Sequence, residues 1–259
     1  MPRSSTRAIN ALRRLNRKFE EIVTDPATSL ILGKILSPAS AAKNNLPIPP
    51  VNLLKRIAVI RLDEIGDVVL TGPFLRELRR AAPETLITLV VKPAVHNLVE
   101  FFPYVDEVLT FQNHTALSPL RRFLEILAFS QTVLRRRRFD LVIIPRWDFD
   151  IYNALSLAFF SNASWRIGFS ERVNLVKQAL NHHYDLFLTH AVDSRGIRHE
   201  VLRSLEMLPI LGAHAAETTL EAWTTPQDDA FAVRFLERNG VGVHERIIGL
   251  GPFCRDPKR

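Results

Sequence analysis

The sequence predicts an α/β fold: a parallel sheet covered by helices on both faces. Three observations carry this. From residue 56 onward, short runs rich in Ile, Val and Leu recur without polar alternation. Between them lie stretches of helical periodicity. The chain has 259 residues, 47% hydrophobic and 24% charged, which is enough to bury a sizeable core in one large or two small domains.

The elements follow in order. Arg56 to Leu62 (RIAVIRL) is an apolar first strand, and Leu75 to Ala82 a helix ending near Pro83. Thr85 to Val91 (TLITLVV) is a second strand, and Ala94 to Phe102 a helix closed by Pro103. Glu107 to Phe111 is a third strand, followed by a long helix from Leu117 to Arg138. Asp140 to Pro145 (DLVIIP) is a fourth strand, Ile151 to Phe160 a helix, and Trp165 to Gly168 a short strand. Arg198 to Leu211 and Pro226 to Asn239 are helices, and Arg246 to Gly251 (RIIGLG) is a last strand.

Composition excludes several classes. The single cysteine, Cys254, rules out a disulfide-stapled module and a cysteine-based zinc site. No stretch reaches about 18 uninterrupted apolar residues, and no signal-peptide order follows the basic N-terminus, so a cytoplasmic protein is expected. The formal net charge is +7, and residues 1–55 hold nine Lys/Arg against three Asp/Glu. The remainder is nearly neutral, which argues against a nucleic-acid partner. Residues 1–54 read as a basic extension and linker. In it, Ala8 to Ile22 is an amphipathic helix, an apolar patch spans Leu30 to Leu36, and a Pro/Ala/Asn-rich stretch ends in PIPP. Such a helix can pack on its own domain or sit on an anionic membrane surface.

The first strand leads into RLDEIGDVVLTGP, residues 61–73. A glycine here, Gly66, lets the backbone turn at the carboxyl edge of a doubly wound sheet, where ligands bind in such folds. Asp67 follows at a helix start. It can cap the first-turn amides or act on a ligand, and the residues alone leave both readings open. Neither G-x-G-x-x-G nor G-x-x-x-x-G-K-[ST] is present.

The segment KRIAVIRLDEIGDVVLTGPFLRELRRAAPETLITLVVKP resembles the N-terminus of glycosyltransferase family nine, the ADP-heptose:lipopolysaccharide heptosyltransferases. Arg61, Gly66, Asp67, Val68, Thr71 and Pro73 match the family opening. FPYVDEVLTF, FDLVIIP, WRIGF and HEVLRSLEMLPILG agree in order, so the resemblance covers residues 55–259. Asp63 and Glu64 depart from the small hydroxyl residues of many members. The resemblance implies a GT-B architecture of two Rossmann-like domains. Residues 55–240 would form the acceptor-side domain and 241–259 the first strand and loop of a donor-binding domain. It implies an inverting, metal-independent transfer without a cofactor, from ADP-heptose or a similar nucleotide sugar to a lipid-linked oligosaccharide of the lipopolysaccharide core. Asp67 would be the general base that deprotonates the acceptor hydroxyl. Arg61, Gly66 and Thr71 would lie along the substrate. At the chain's end, Lys258 falls on the family's donor-diphosphate lysine and Cys254 near its hydroxyl positions. A lysine there would neutralise the leaving group.

Other residues are weighed beside these. Arg146 is a candidate for an anionic acceptor group, and Asp148 for a polar acceptor-side loop. Asp148-Phe149-Asp150 is also a D-x-D triplet, the pattern with which a metal-dependent transferase holds a cation between diphosphate oxygens. His182 and His183 have no third metal ligand at a recognisable spacing. Arg135 to Arg138 end a helix, where cations complement its dipole. Trp147 and Trp165 read as core or cleft wall. The expected whole is a glycosyltransferase, peripheral on the inner face of the inner membrane, of which this chain is a fragment inactive by itself. The alternative is a non-catalytic module that binds the acceptor.

Overall fold

A computed structural model describes residues 47–112, 119–181, 184–196, 198–242 and 245–250. The chain divides into two compact units, one ending at Ala222 and one beginning at Trp223. The first carries a six-stranded sheet. Its strands are β1 (Arg56–Ile60), β2 (Leu86–Val91), β3 (Glu107–Thr110), β4 (Leu141–Ile144), β5 (Trp165–Phe169) and β6 (His190–Val192). Their spatial order is β3-β2-β1-β4-β5-β6, and every pairing is parallel. The order reverses between β1 and β4. Crossovers leave on opposite sides there, so their loops part and leave a crevice at the carboxyl edge.

β4 is apolar throughout, and β1 and β2 nearly so, because both faces of the sheet are covered. Ile57 and Val59 of β1 face one core, with Phe74, Leu75 and Leu78 of α1 (Ile65–Ala81), Val99 of α2 (His96–Val99) and Leu205 of α6 (Glu200–Leu205). Ala58 and Ile60 face the other, with Ile126 of α3 (Pro119–Phe129) and Leu157 and Phe160 of α4 (Ala154–Phe160). Two adjacent side chains thus enter two separate cores, as the period of two requires. A short helix α5 (Leu175–Leu180) follows β5.

Several elements differ from the sequence reading. Helix α1 begins ten residues before Leu75 and runs through Pro73. A helix-interior proline costs about 3 kcal/mol, and here the buried Phe74, Leu75 and Leu78 that follow it offset that cost. The long helix after β3 tightens and widens before it ends: Pro119–Phe129 is α-helical, Ser130–Leu134 a π-turn and Arg135–Arg137 a 3-10 turn. It stops where Arg138 adopts the left-handed conformation, φ 53°. The helix expected at Arg198–Leu211 is two pieces, α6 and a 3-10 turn at Pro209–Leu211, with Pro209 lacking the amide to continue.

After α6 the chain runs back over α1 as a strap. Arg76 of α1 donates to the Thr219 carbonyl at 3.0 Å and pairs with Glu221 at 3.0 Å and Glu217 at 3.8 Å. The buried Glu77 accepts from the Ala216 amide at 3.1 Å. The second unit holds α7 (Pro226–Arg238), started by a reciprocal capping box between Thr225 and Asp228. The strand expected at Arg246–Gly251 does not form over its described residues. An apolar run becomes a strand only beside a ladder partner, and Ile247, Ile248 and Leu250 stand exposed. Among the described residues no helix is long and apolar enough to cross a membrane. The extension helix and apolar patch, Leu117, His182, His183, Cys254 and Lys258 lie outside the described residues.

Candidate active site

The crevice between the ends of β1 and β4 holds a compact ionic cluster built on Arg61. The Arg61 amide bonds to the Val90 carbonyl at 2.9 Å, which continues the β1–β2 ladder and aims the side chain across the carboxyl edge. Arg61 is only 1% exposed. Its guanidinium donates to the Pro145 carbonyl at 2.8 Å, meets Asp63 at 3.1 Å and Glu200 at 2.9 Å, and lies 3.7 Å from Asp67. Burying a guanidinium costs several kcal/mol unless its charge and its donors are matched. Here the Pro145 carbonyl and Glu200 accept from the two terminal nitrogens, Asp63 and Asp67 add to the balance of charge, and Nε faces Asp63 without a hydrogen bond.

Asp63 is equally buried, 1% exposed, and lies between two cations, Arg61 and Arg146. Arg146 enters from the loop after β4 and donates through Nε to the Phe149 carbonyl at 2.6 Å. Asp63 therefore ties the β1 and β4 loops together from inside.

Asp67 is different. It occupies the third position of α1, and 41% of its side chain is exposed. The cap position is Glu64, whose side chain makes no cap bond. The Asp67 carboxylate lies toward the Arg61 guanidinium in the crevice. Of the three carboxylates around Arg61 it is the most exposed. A partly exposed carboxylate held by a fixed cation at a switch point can accept a proton from a bound hydroxyl.

The other expected residues divide into those in the crevice and those beside it. Gly66 lies in the first turn of α1 and does not adopt a positive φ. A tight turn is therefore not what a glycine supplies here. Nothing lies within 4 Å of where its Cβ would stand, so the backbone is open to approach. Thr71 is buried one turn further on and donates its hydroxyl to the Asp67 carbonyl at 2.8 Å. Asp148 accepts from the Phe149 amide at 2.8 Å and from Asn174 at 3.4 Å. Asp150 spends both oxygens on the start of α4, accepting from the amides of Tyr152, Ala154 and Leu155 at 2.9–3.1 Å. The D-x-D triplet thus contains a helix-starting aspartate. Among the described residues no group of three or more His, Cys, Asp or Glu is placed to hold a metal ion. Trp147 donates to the Ser194 carbonyl at 2.7 Å, and the Arg203 guanidinium stacks 3.6 Å from its ring centre. Arg137 pairs with Glu107 at the far edge of the sheet, and that arginine holds the glutamate below the usual carboxylate range.

Sequence reasoning missed two supports. Glu200 opens α6 and reaches Arg61 from 139 residues away. Lys177, 0% exposed, donates to the carbonyls of Phe169 at 2.9 Å, Trp147 at 3.3 Å and Arg146 at 3.4 Å. It fastens the β4 loop to the end of β5, and burial pulls its ammonium down to about 8. Neither residue has a local signal, since an acid at a helix start and a lysine in a short helix are ordinary.

The fold defines a class: doubly wound α/β proteins, in which ligands bind at the switch point of the sheet. Within it, the chain is similar to a crystal structure of a glycosyl transferase family 9 protein from Veillonella parvula. The TM-score is 0.66 at 23% identity, over 83% of this chain and 57% of that one. It also shares a fold with Escherichia coli heptosyltransferase WaaC, solved with ADP-2-deoxy-2-fluoro heptose. There the TM-score is 0.51 at 19% identity, over 64% of this chain and 51% of that one. The chain thus spans between half and three-fifths of the length of these structures. No family model and no curated protein sequence matches it.

Proposed function

We propose that this chain is the acceptor-side part of a family-nine glycosyltransferase. The enzyme moves a heptose, or a related sugar, from a nucleotide diphosphate to a lipid-linked lipopolysaccharide core. The observation that carries the reading is Asp67: a half-exposed carboxylate, set against a buried arginine, at the switch point of a sheet whose fold is shared with family 9. In this reading the acceptor hydroxyl lies against Asp67 and attacks the anomeric carbon. Its proton passes to the carboxylate, and the nucleotide diphosphate leaves from the opposite side with inversion. Arg146 faces an anionic group of the acceptor. Gly66 leaves room for the sugar, and Arg61, Thr71 and Asp148 hold the loops that frame it. Lys258 and Cys254 serve the donor diphosphate. The basic extension keeps the enzyme on the inner face of the membrane that bears the acceptor.

The test is transfer from ADP-heptose to a lipopolysaccharide core acceptor, followed by product mass. It uses residues 1–259 joined to a donor-binding half, with and without Asp67→Asn. The reading expects product from the parent and a fall in turnover of roughly 10²–10⁴ in the variant. No product from the parent, or undiminished turnover in the variant, overturns it.

A further inference from the structure

Beside the Arg61 cluster, three loops meet around one aromatic ring. Lys92 follows β2, Glu64 precedes α1, and Tyr152 lies in the loop after β4. The Lys92 ammonium sits 3.8 Å from the centre of the Tyr152 ring and donates to Glu64 Oε1 at 2.8 Å. The Tyr152 hydroxyl donates to the same oxygen at 3.2 Å. The Arg146 guanidinium lies 5.3 Å from the same ring. One carboxylate oxygen therefore occupies a position lined by an ammonium, a phenol and, nearby, a second cation.

That donor set suits an oxyanion. Glu64 is also the residue that precedes the first turn of α1, a 17-residue helix. First-turn amides have no intrahelical acceptor, and the helix dipole favours negative charge at that end. The lysine and the glutamate are unequally placed: 16% of the Lys92 side chain is exposed, against 52% for Glu64. The cation is held in place by the ring, while its anion is half in water. An ion pair with one exposed member contributes only about 0.2–1 kcal/mol, so another anion can replace Glu64 at small cost.

We infer that Lys92 and Tyr152 form a phosphate subsite beside the amino end of α1. In the resting protein Glu64 occupies it as an internal counter-anion, and an incoming phosphate monoester displaces Glu64. The glycosyl-transfer reading enters only in naming the carrier of that phosphate, a phosphorylated sugar of the acceptor. The site lies at the same carboxyl edge as Asp67 but uses none of the groups assigned to proton transfer. It would select acceptors that carry a phosphate near the reacting hydroxyl.

The experiment titrates inorganic phosphate into the purified 259-residue chain at low salt and neutral pH, with heat as the readout. Removing the internal competitor in Glu64→Gln should tighten binding roughly two- to fivefold, the equivalent of the exposed pair. Lys92→Gln should weaken it about tenfold or more, since a charge-assisted donor is lost. Lys92→Arg, which keeps the charge and binds phosphate well, should hold affinity near the parent value. A urea midpoint for each variant separates loss of binding from loss of fold. A purely structural ion pair predicts no gain in Glu64→Gln, and that result overturns the inference, as does parent-like phosphate affinity in folded Lys92→Gln. Phosphate binding requires no turnover, so the transfer assay with Asp67→Asn can fail or succeed independently of it.

Discussion

Arg61 and Glu200 meet at 2.9 Å although 139 residues separate them in the chain. The contact joins the end of β1 to the start of α6, and the same guanidinium faces Asp67. Because the two carboxylates share one cation, their substitutions should not add. In a double-mutant cycle on urea stability, Glu200→Gln and Asp67→Asn together should depart from the sum of the singles by at least about 0.5 kcal/mol. Strict additivity would show that Arg61 does not couple them.

Asp63 has the opposite exposure to Asp67 and should have the opposite phenotype. Asp63→Ala leaves Arg61 and Arg146 facing each other without their shared anion, one of them fully buried. Breaking a buried pair on one side costs about 3–5 kcal/mol. A urea midpoint for Asp63→Ala within error of the parent would contradict that placement. Asp63→Asn, which keeps the shape and one acceptor, should cost less.

Lys177 makes stability depend on alkaline pH. Its folded value is lowered to about 8, against 10.5 for an ordinary lysine, because burial disfavours the charge. Between those values the unfolded chain binds the proton that the folded chain has released. Stability from this group is therefore full above about 10.5 and is lost as pH falls through 8. Asp148, Asp150, Asp185 and Arg146 face the ammonium and move with it electrostatically. The parent should gain stability relative to Lys177→Met as pH rises from 8 toward 10.5, by an amount on the order of 3 kcal/mol. Parallel urea-midpoint curves for the two proteins would exclude the effect.

The basic extension should act through charge. The chain should sediment with anionic vesicles at low salt and be released at high salt, as screening shortens the reach of surface charge. Removing residues 1–46 should abolish sedimentation and leave the fold intact, since Ile48 and Val51, which pack on the core, remain. Equal binding to neutral vesicles would refute the electrostatic account.

What the sequence made legible was local. β1, β2 and β4 announce themselves because strands buried on both faces leave no room for polar residues, and the carboxyl-edge loops follow from that. β6 was missed: it is three residues long and begins with His190, too short for a periodic signal. The helical run read at Leu75–Ala82 and the helix start read at Asp67 are one helix in the structure, Ile65–Ala81, which continues through Pro73 at its ninth position. That Asp67 and Arg146 lie on loops at the carboxyl edge was legible from the order of strands and loops. That Asp63 locks the β1 and β4 loops together was not, because a pairing across the sheet leaves no mark on either segment. Glu200 and Lys177 escaped for the same reason.

The strap clasped to α1 has a mechanical consequence. Arg76 and Glu77 hold residues 216–221, the last stretch of chain before the second unit. Asp67 stands on the same helix nine residues earlier, about 13 Å along a rod that rises 1.5 Å per residue. A helix packed along its length is stiff, so a pull on the strap shifts both ends of α1 together. The strap is tied to the helix that carries Asp67 by hydrogen bonds and ion pairs at Arg76 and Glu77, so a load on residues 216–221 reaches the crevice carboxylate through those contacts and one helix.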